Sequence, residues 1–554
     1  MSNKRSLVMD IELFANYLLV MFKAIDSKVV RSFEFWANKP EDATDVPVFN
    51  LAQVDHARTI EAILRKFTIV SFNGQDFDFP ILFYAMQRGA SISELKQAAN
   101  HIIDGRLRAW QFSREYNVQI PTWLDHIDLR EPVPGVQISL KLYGGRLHSK
   151  KLQDLPYEPD RWLTDAEMDE VRTYCENDCD TTIDLYNKAR DPKDDIIGTR
   201  ELLSAEFGID VRSKSDAQIA ETLIRTLVER RTGQKVYPTD VRPGTRYAYR
   251  PPAFIRFNSP LLQAKLDEIC GTDFYVGGDG AIVAPKSLEG ATLKIGEQTY
   301  RMGIGGLHST EQTVAHIASE QTLLRDRDVV SYYPSLILQC GLSPDNMGRH
   351  FQEVYGDFFR RRVAAKKAGH KSSAQTLKIL LNGAFGKLGS RFSVLYAPNL
   401  LIQVTVTGQL ELLMMIERME AAGIPCVSAN TDGVVMACPA HLEPEMLRIV
   451  AQWEREATAE RTRDALAHLR SEGVRLGGAA LGWERGEGVD AAGRRVVVAV
   501  EDEADTVARI LALKADGVSV RRIAEILAAE GRRTKAGGQW HPTTVQRVIA
   551  RGVA

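Results

Sequence analysis

A chain of 554 residues is too long for one ordinary domain, and a hydrophobic content of 44% is enough to fill several cores, so three or four domains are expected. A formal net charge of -2 excludes a uniformly basic nucleic-acid coat but leaves room for local grooves whose basic walls face acidic metal sites. The six cysteines (Cys175, Cys179, Cys270, Cys340, Cys426, Cys438) form no CxxC pair and no zinc-type spacing with histidine; this argues against a disulfide framework or structural zinc and fits a reducing compartment. No cleavable leader opens the sequence and no apolar run approaches the roughly 20 residues that span a bilayer, so no membrane partner and a cytoplasmic setting are expected.

The first predicted strand, "LVMDIELFANYLLVMF", carries Asp10 and Glu12 two residues apart and therefore on one face. Two carboxylates on a buried face repel, and a hard divalent cation removes that repulsion. Asp78 follows another strand in "IVSFNGQDFDFPIL", with Asp76 as a rival, and Asp178 lies on a predicted helix in "VRTYCENDCDTTIDLY", one turn after Tyr174. This ordered set resembles the three exonuclease motifs of family B DNA polymerases: D-x-E, N-x(2-3)-(F/Y)-D and Y-x(3)-D. The resemblance implies that Asp10, Glu12, Asp78 and Asp178 hold two Mg²⁺ or Mn²⁺ ions about 4 Å apart, one activating water and one stabilising the leaving 3′ oxygen. It further implies that Tyr174 orients the water and Asn73 holds the frayed primer end, while Cys175 and Cys179 pack rather than ligate.

Further along, the run "MGIGGLHST", with Gly305, Gly306 and His308, is similar to a Y-x-G-G element that touches the template backbone; an ordinary glycine turn is the alternative. "RDRDVVSYYPSLIL" sets Asp328 at the start of an apolar, aromatic stretch and resembles polymerase motif A, with Tyr333 placed under the incoming sugar. In "RRRVAAKKAGHKSSAQTLKILLNGAFGKLGS", Lys378 and Asn382 match motif B, with Gly383 and Phe385 standing where the family has Ser and Tyr. Lys378 would contact the triphosphate; Arg362 and Lys366, four apart on the preceding helix, would add phosphate contacts. "SANTDGVVMACP" reads as a hairpin whose turn presents Asp432. It resembles motif C, with Asn430 for the first aspartate and Gly433 for Ser, so Asp328 and Asp432 would bind a second pair of metal ions.

From about Arg455 onward the sequence contains no Phe, Tyr or Asn, and its bases are nearly all Arg. Two ancestries therefore look joined near "VAQWEREATAERTRDAL". A charged helix is predicted from this seam, then two amphipathic helices with a Gly-Val-Ser turn in "DTVARILALKADGVSVRRIAEILAAEG", then a basic loop and a third helix from Pro542. This segment resembles the DNA-binding recombinase domain of large serine recombinases. Arg521, Arg522, Arg532, Arg533 and Lys535 would meet phosphates, and Thr543, Thr544 and Gln546 would approach base edges.

Together the resemblances imply a multidomain α/β and α+β chain of phage type. A ribonuclease H-like 3′-5′ exonuclease would span 1–195 and a connector with the N-terminal palm region 196–310. An antiparallel-sheet palm would span 311–454, with short helical fingers at about 340–386, and a helix-turn-helix-like domain 455–554. No thumb with its K-x-Y-like element is found. The implied activity is template-directed DNA synthesis with proofreading, in phage replication in the bacterial host cytoplasm. Primer-template DNA, single-stranded 3′ ends, dNTPs and replication proteins of phage or host are the implied partners. Two other readings stay open: a working exonuclease beside a failed polymerase, and an inert polymerase half in a DNA-binding, integration-associated fusion.

Overall fold

The computed structural model of the protein describes residues 4–50, 53–133, 138–311, 313–329, 331–456, 483–489, 495–499, 501–535 and 537–552. The chain divides into two compact units, 1–462 and 463–554.

The apolar start of the chain builds a five-stranded sheet from β1 (Ser6–Leu13), β2 (Tyr17–Ala24), β3 (Val30–Trp36), β4 (Thr68–Ser71) and β5 (His126–Asp128), in the order β3-β2-β1-β4-β5. The first three strands pair antiparallel through short turns, whereas β4 and β5 run parallel to β1 and are reached by helical crossovers. All eight residues of β2 are buried, as a strand covered on both faces requires. On one face Met9 and Ile11 pack with Leu82 and Leu95; on the other Val8 and Met21 meet Val171 and Cys179 of the helix Asp165–Ala189. That helix starts in a capping box between Thr164 and Glu167. It is clamped to β2 by the buried Lys23 ammonium, 2.9 Å from Glu176 and 2.7 Å from Asp180.

A small antiparallel sheet, β6 (Arg246–Ala248), β7 (Asp273–Val276) and β8 (Ile282–Val283), precedes the second large one. The latter comprises β9 (Thr292–Ile295), β10 (Gln298–Arg301), β11 (His308–Ser309), β12 (Thr322–Asp328), β13 (Cys426–Asn430) and β14 (Gly433–Pro439). Its order is β12-β14-β13-β11-β10-β9, antiparallel throughout. The helix Pro398–Ala421 belongs to the same hydrophobic core as this sheet.

That helix corrects one sequence expectation: it is long and apolar enough to cross a bilayer, and 89% of the stretch that qualifies is buried inside the protein. Gln403, Thr405, Thr407, Gln409 and Glu411 interrupt its apolar run on paper, yet all five are buried. Buried polar groups need partners; Thr405 donates back to the Leu401 carbonyl of its own helix at 2.8 Å, whereas Gln403, Thr407 and Gln409 find partners on the surrounding chain. Gln409 Nε2 donates to the Gly303 carbonyl at 2.7 Å while its Oε1 accepts the Gly303 N–H at 3.0 Å. Gln403 makes the same double contact with the Ala248 carbonyl and the Arg250 N–H, and Thr407 shares a 2.9 Å hydroxyl hydrogen bond with Tyr249.

Between motif A and motif B two helices, Arg349–Lys367 and Lys371–Lys387, pack together, and the second also lies on the helix Asp216–Thr232. This contact accounts for Gly383. A Cβ there would sit 2.5 Å from the Asp216 carbonyl oxygen and 3.1 Å from Ala217 Cα.

In the second unit β15 (Trp483–Val489) and β16 (Arg495–Ala499) form an antiparallel hairpin. It is not among the predicted elements, although "RRVVVAV" has the β-branched composition of a strand. The expected charged helix at the seam lies outside the described residues beyond 456. The helices Glu501–Ala515, Val520–Ala529 and Pro542–Gly552 enclose a core of Ile510, Leu513, Ile523, Leu527, Trp540 and Val545, and Ser519 caps the middle one.

Gly383→Ala separates two opposing effects. Helix propensity alone would stabilise by about 1 kcal/mol, whereas overpacking costs about 1–3 kcal/mol. With backbone as the obstacle, net destabilisation is expected in urea unfolding of the full chain. A stabilised variant would show that the two helices do not touch at this point.

Candidate functional site

At the C-terminal half of β1, Asp10 and Glu12 project towards the helix Asp165–Ala189, and the chain brings two further acids to them. Asp78 is the first residue of the helix Asp78–Arg88, where exposed N–H groups favour negative charge. Asp178 comes from the long helix, hydrogen-bonded to the Tyr174 hydroxyl one turn earlier. The acids feel one another. Burial and then the Asp178 charge push the Asp10 carboxyl up to about 7. Glu12 is held well above the carboxylate range by burial and by Asp10, Asp178 and Asp78; Asp78 is raised by burial and by Asp10 and Asp128. Asp76, the rival in the second motif, is spent elsewhere: it accepts from Arg108 at 2.8 Å and from the Ala109 N–H at 2.9 Å.

Cys175 packs, as expected, but it also reaches the cluster. Its thiol, kept protonated by burial, donates to Asp10 Oδ2 at 3.5 Å. Asp10, Glu12 and Cys175 are the one group of three potential ligand atoms lying within 4.8 Å of one another among the described residues. Lys141 is a participant that motif spacing did not find. From the helix Leu140–Leu147, and paired with Asp154 at 2.9 Å, its charge eases ionisation of Glu12 and Asp178. Asn73 adopts φ 70°, donates its N–H to Asp128 Oδ1 at 2.8 Å and accepts from Arg130 through its amide oxygen. Asp128 and Arg130 are therefore partners that the sequence reading missed.

The second acidic site forms across the large sheet. The β13–β14 hairpin leaves Thr431 and Asp432 at its tip, and the β12–β14 register sets Asp328 opposite Gly433. Gly433 leaves room for this acid: a Cβ there would lie 2.3 Å from Asp328 Oδ1, so the Asp328 carboxylate would have to turn away. Thr431 takes φ 44°, which costs a β-branched residue about 1–3 kcal/mol. It is held there by donation of its N–H to the Leu307 carbonyl at 2.8 Å and of its hydroxyl to Asn430 Oδ1 at 3.1 Å. Burial and then the Asp328 charge raise the Asp432 carboxyl, while Lys378 opposes the rise. Gly306 packs on this turn, 3.1 Å from Thr431 Oγ1 when given a Cβ, whereas Gly305 faces open space.

Around this pair the nucleotide-contact candidates differ in setting. Tyr333 stacks on Phe385, with ring centroids 4.2 Å apart and planes 13° apart; its buried hydroxyl has no hydrogen-bond partner among the described residues. Burial and the Asp432 charge push that hydroxyl up to about 12. Lys378 and Asn382 are exposed on one helical face, and Lys366 is exposed on the neighbouring helix. Arg362 is instead buried and donates to Ser331 Oγ, in the loop that follows Asp328.

The C-terminal candidates divide likewise. Arg532 is paired with Asp505 at 2.9 Å and with Glu530, Lys535 with Glu503 at 3.1 Å, and Arg522 with Glu525 at 2.8 Å. Arg521 and Arg533 are exposed and make no ion pair among the described residues. Thr543 is exposed beside His541, and Thr544 is half-buried.

Residues 501–553 match the Recombinase family model. No curated protein matches the chain. Among solved structures it is similar to the family B DNA polymerase from the hyperthermophilic archaeon Pyrobaculum calidifontis, at 14% identity and a TM-score of 0.41. The match covers 95% of this chain and 66% of that one.

The raised Asp10 carboxyl gives a signed expectation. Without metal, the folded chain binds a proton at Asp10 more tightly than the unfolded chain does. This group therefore costs stability as pH rises from its unfolded value of about 4 towards its folded value of about 7. In EDTA, Asp10→Asn is expected to raise Tm by about 2 °C or more at pH 8 and to leave it unchanged near pH 4. Equal Tm values at pH 8 would remove Asp10 from a repelling cluster.

Proposed function

We propose that the chain is a DNA-directed DNA polymerase with a 3′-5′ proofreading exonuclease, joined to a DNA-binding recombinase-like tail. The observation that carries this reading is the presence of two separate carboxylate centres on two sheets, one gathering four acids and the other setting Asp328 beside Asp432. The β3-β2-β1-β4-β5 order, with acids on the central strand, supports a ribonuclease H-like nuclease. The carboxylates of both sets are oxygen donors that repel one another, which suits Mg²⁺ or Mn²⁺, and the protonated Cys175 thiol beside Asp10 acts as a hydrogen-bond donor rather than a ligand. Asp10, Glu12, Asp78 and Asp178 would hold such ions in the nuclease, and Asp328 and Asp432 in the polymerase. Bound there, the ions would activate the attacking oxygen and stabilise charge building on the phosphoryl group.

The chain's own residues supply the rest. In the nuclease Tyr174, tied to Asp178, orients the attacking water, and the cation of Lys141 opposes part of the rise that burial imposes on Glu12 and Asp178. In the polymerase the Tyr333 ring, braced by Phe385, forms a flat floor for the sugar of an incoming dNTP. Lys378, whose charge reaches Asp432, is placed to meet the triphosphate. Arg362 does not reach substrate in this arrangement; by holding Ser331 it fixes the loop that carries Asp328. In the tail, Arg521 and Arg533 are the cations free to neutralise phosphates of duplex DNA.

Two centres on two sheets should fail independently. Asp432→Asn is expected to abolish primer extension, a loss of several kcal/mol of transition-state stabilisation, while single-stranded 3′ ends are still degraded in Mg²⁺. Glu12→Ala is expected to do the reverse. Normal extension by Asp432→Asn would overturn the polymerase assignment, and duplex binding without extension by the wild-type chain would favour the inert-polymerase reading.

For the tail, Arg533→Ala is expected to weaken duplex binding and flatten its salt dependence by about one ion. Arg532→Ala is expected to lower Tm instead, because it leaves Asp505 without its cation and Glu530 with Arg509 alone. Unchanged affinity and salt slope in Arg533→Ala would remove that arginine from the DNA-binding face.

A further inference from the structure

A cavity of about 630 Å³ lies beside the outer edge of β5, and none of the four clustered acids lines it. Its volume is within the range of small-ligand pockets, roughly 300–1,000 Å³. Phe79 and Trp110 contribute aromatic wall, and Lys214 enters from the segment that follows the sheet. Most charged groups in the wall are already committed. The Asp128 carboxylate accepts the backbone N–H groups of Asn73, Gln75 and Arg130 at 2.8–3.0 Å. Asp76 holds Arg108, and Asp210 holds Arg212 at 2.7 Å.

Lys214 is the exception. Half-buried, its ammonium makes no hydrogen bond or ion pair within 4 Å among the described residues, and burial, reinforced by the Arg225 charge, lowers its proton affinity against the more distant pull of Asp210, Glu221 and Glu131. A desolvated cation without a partner costs stability. Trp110 adds a second anomaly, since its large apolar ring is 67% exposed. One ligand with a negative charge and a flat aromatic ring answers both.

We propose that this cavity binds one nucleotide unit, its phosphate taken by Lys214 and its base stacked on Trp110. The unit is either a free nucleoside monophosphate or one residue of a single strand. The site requires neither the nuclease nor the polymerase to be active, so it is tested without metal. The full chain, in EDTA, is titrated with dAMP in one arm and with a short oligodeoxyadenylate in the other, following tryptophan fluorescence. The chain has seven tryptophans, so the part of the quench lost in Trp110→Phe is the part read.

A Trp110-dependent quench is expected with at least one ligand. Response to dAMP assigns a free-nucleotide site, and response to the oligonucleotide alone assigns a strand subsite. Lys214→Met is expected to weaken the binding about tenfold or more and Lys214→Arg to retain it. The Tm of Lys214→Met is expected to equal or exceed that of the wild type, because a buried unpaired charge is removed. The proposal is overturned if neither ligand gives a Trp110-dependent quench, or if Lys214→Met binds as tightly as the wild type.

Discussion

The second acidic site depends on a helix that would rather not be polar. Pro398–Ala421 is buried on nearly all sides, so each hydroxyl and amide it carries must find a partner on a neighbouring segment or lose its hydration uncompensated. Gln409 thereby fixes Gly303, three residues before the Gly306 contact with the Asp432 turn. The Gly408 carbonyl accepts the Tyr332 hydroxyl at 2.6 Å, which anchors the segment that follows Asp328. The Glu411 carbonyl accepts the Trp453 indole N–H at 2.9 Å, seating the helix 443–456 behind the sheet. Loops that would otherwise be free to drift are thus tied to one rigid rod. An apolar helix of the same volume would pack as well and position less.

The two carboxylate centres use repulsion differently. In the first sheet the acids are desolvated together, so the energy stored in their repulsion is large and is released when a cation enters. In the second, Asp328 and Asp432 are exposed, so water screens much of their repulsion, although partial desolvation and Asp328 still raise the Asp432 carboxyl. Thr431, held at positive φ, is where strain is stored in the second centre. Its N–H contact with Leu307 links the turn to the glycine run that precedes β11.

Much of this was legible in the sequence. The i, i+2 spacing of Asp10 and Glu12 needed only strand periodicity, and the Asn-Thr-Asp-Gly turn needed only hairpin chemistry. Where reading by residue failed, long-range geometry decided. Lys141 and Cys175 enter the first acidic cluster because two helices, Leu140–Leu147 and Asp165–Ala189, fold back on β1, which no local pattern encodes. Asp76 and Asp78 are indistinguishable by spacing, and only the position of Arg108, thirty-two residues downstream of Asp76, separates them. The helix Pro398–Ala421 was misjudged because hydropathy scores a glutamine as polar, whereas a glutamine with both its groups bonded is part of the core.

The positions at which the chain differs from the motifs it resembles are best read the same way, as paired adjustments to neighbours. Gly383 stands where the motif has serine because the helix Asp216–Thr232 lies against it, close enough that even one carbon would strike backbone. Gly433 stands where the motif has serine, and the Asp328 carboxylate occupies the space a side chain there would enter. Phe385 replaces a tyrosine, yet it still gives Tyr333 a stacked partner, since stacking needs only the ring. Asn430 has lost an anionic ligand, and its amide oxygen is engaged with Thr431, holding the turn that presents Asp432. In each case the side chain that changed is the one whose space or hydrogen bond a neighbour has taken over. Asp328 and Asp432 keep the acids of the motifs they resemble, and under the proposed function charge rather than shape would act there.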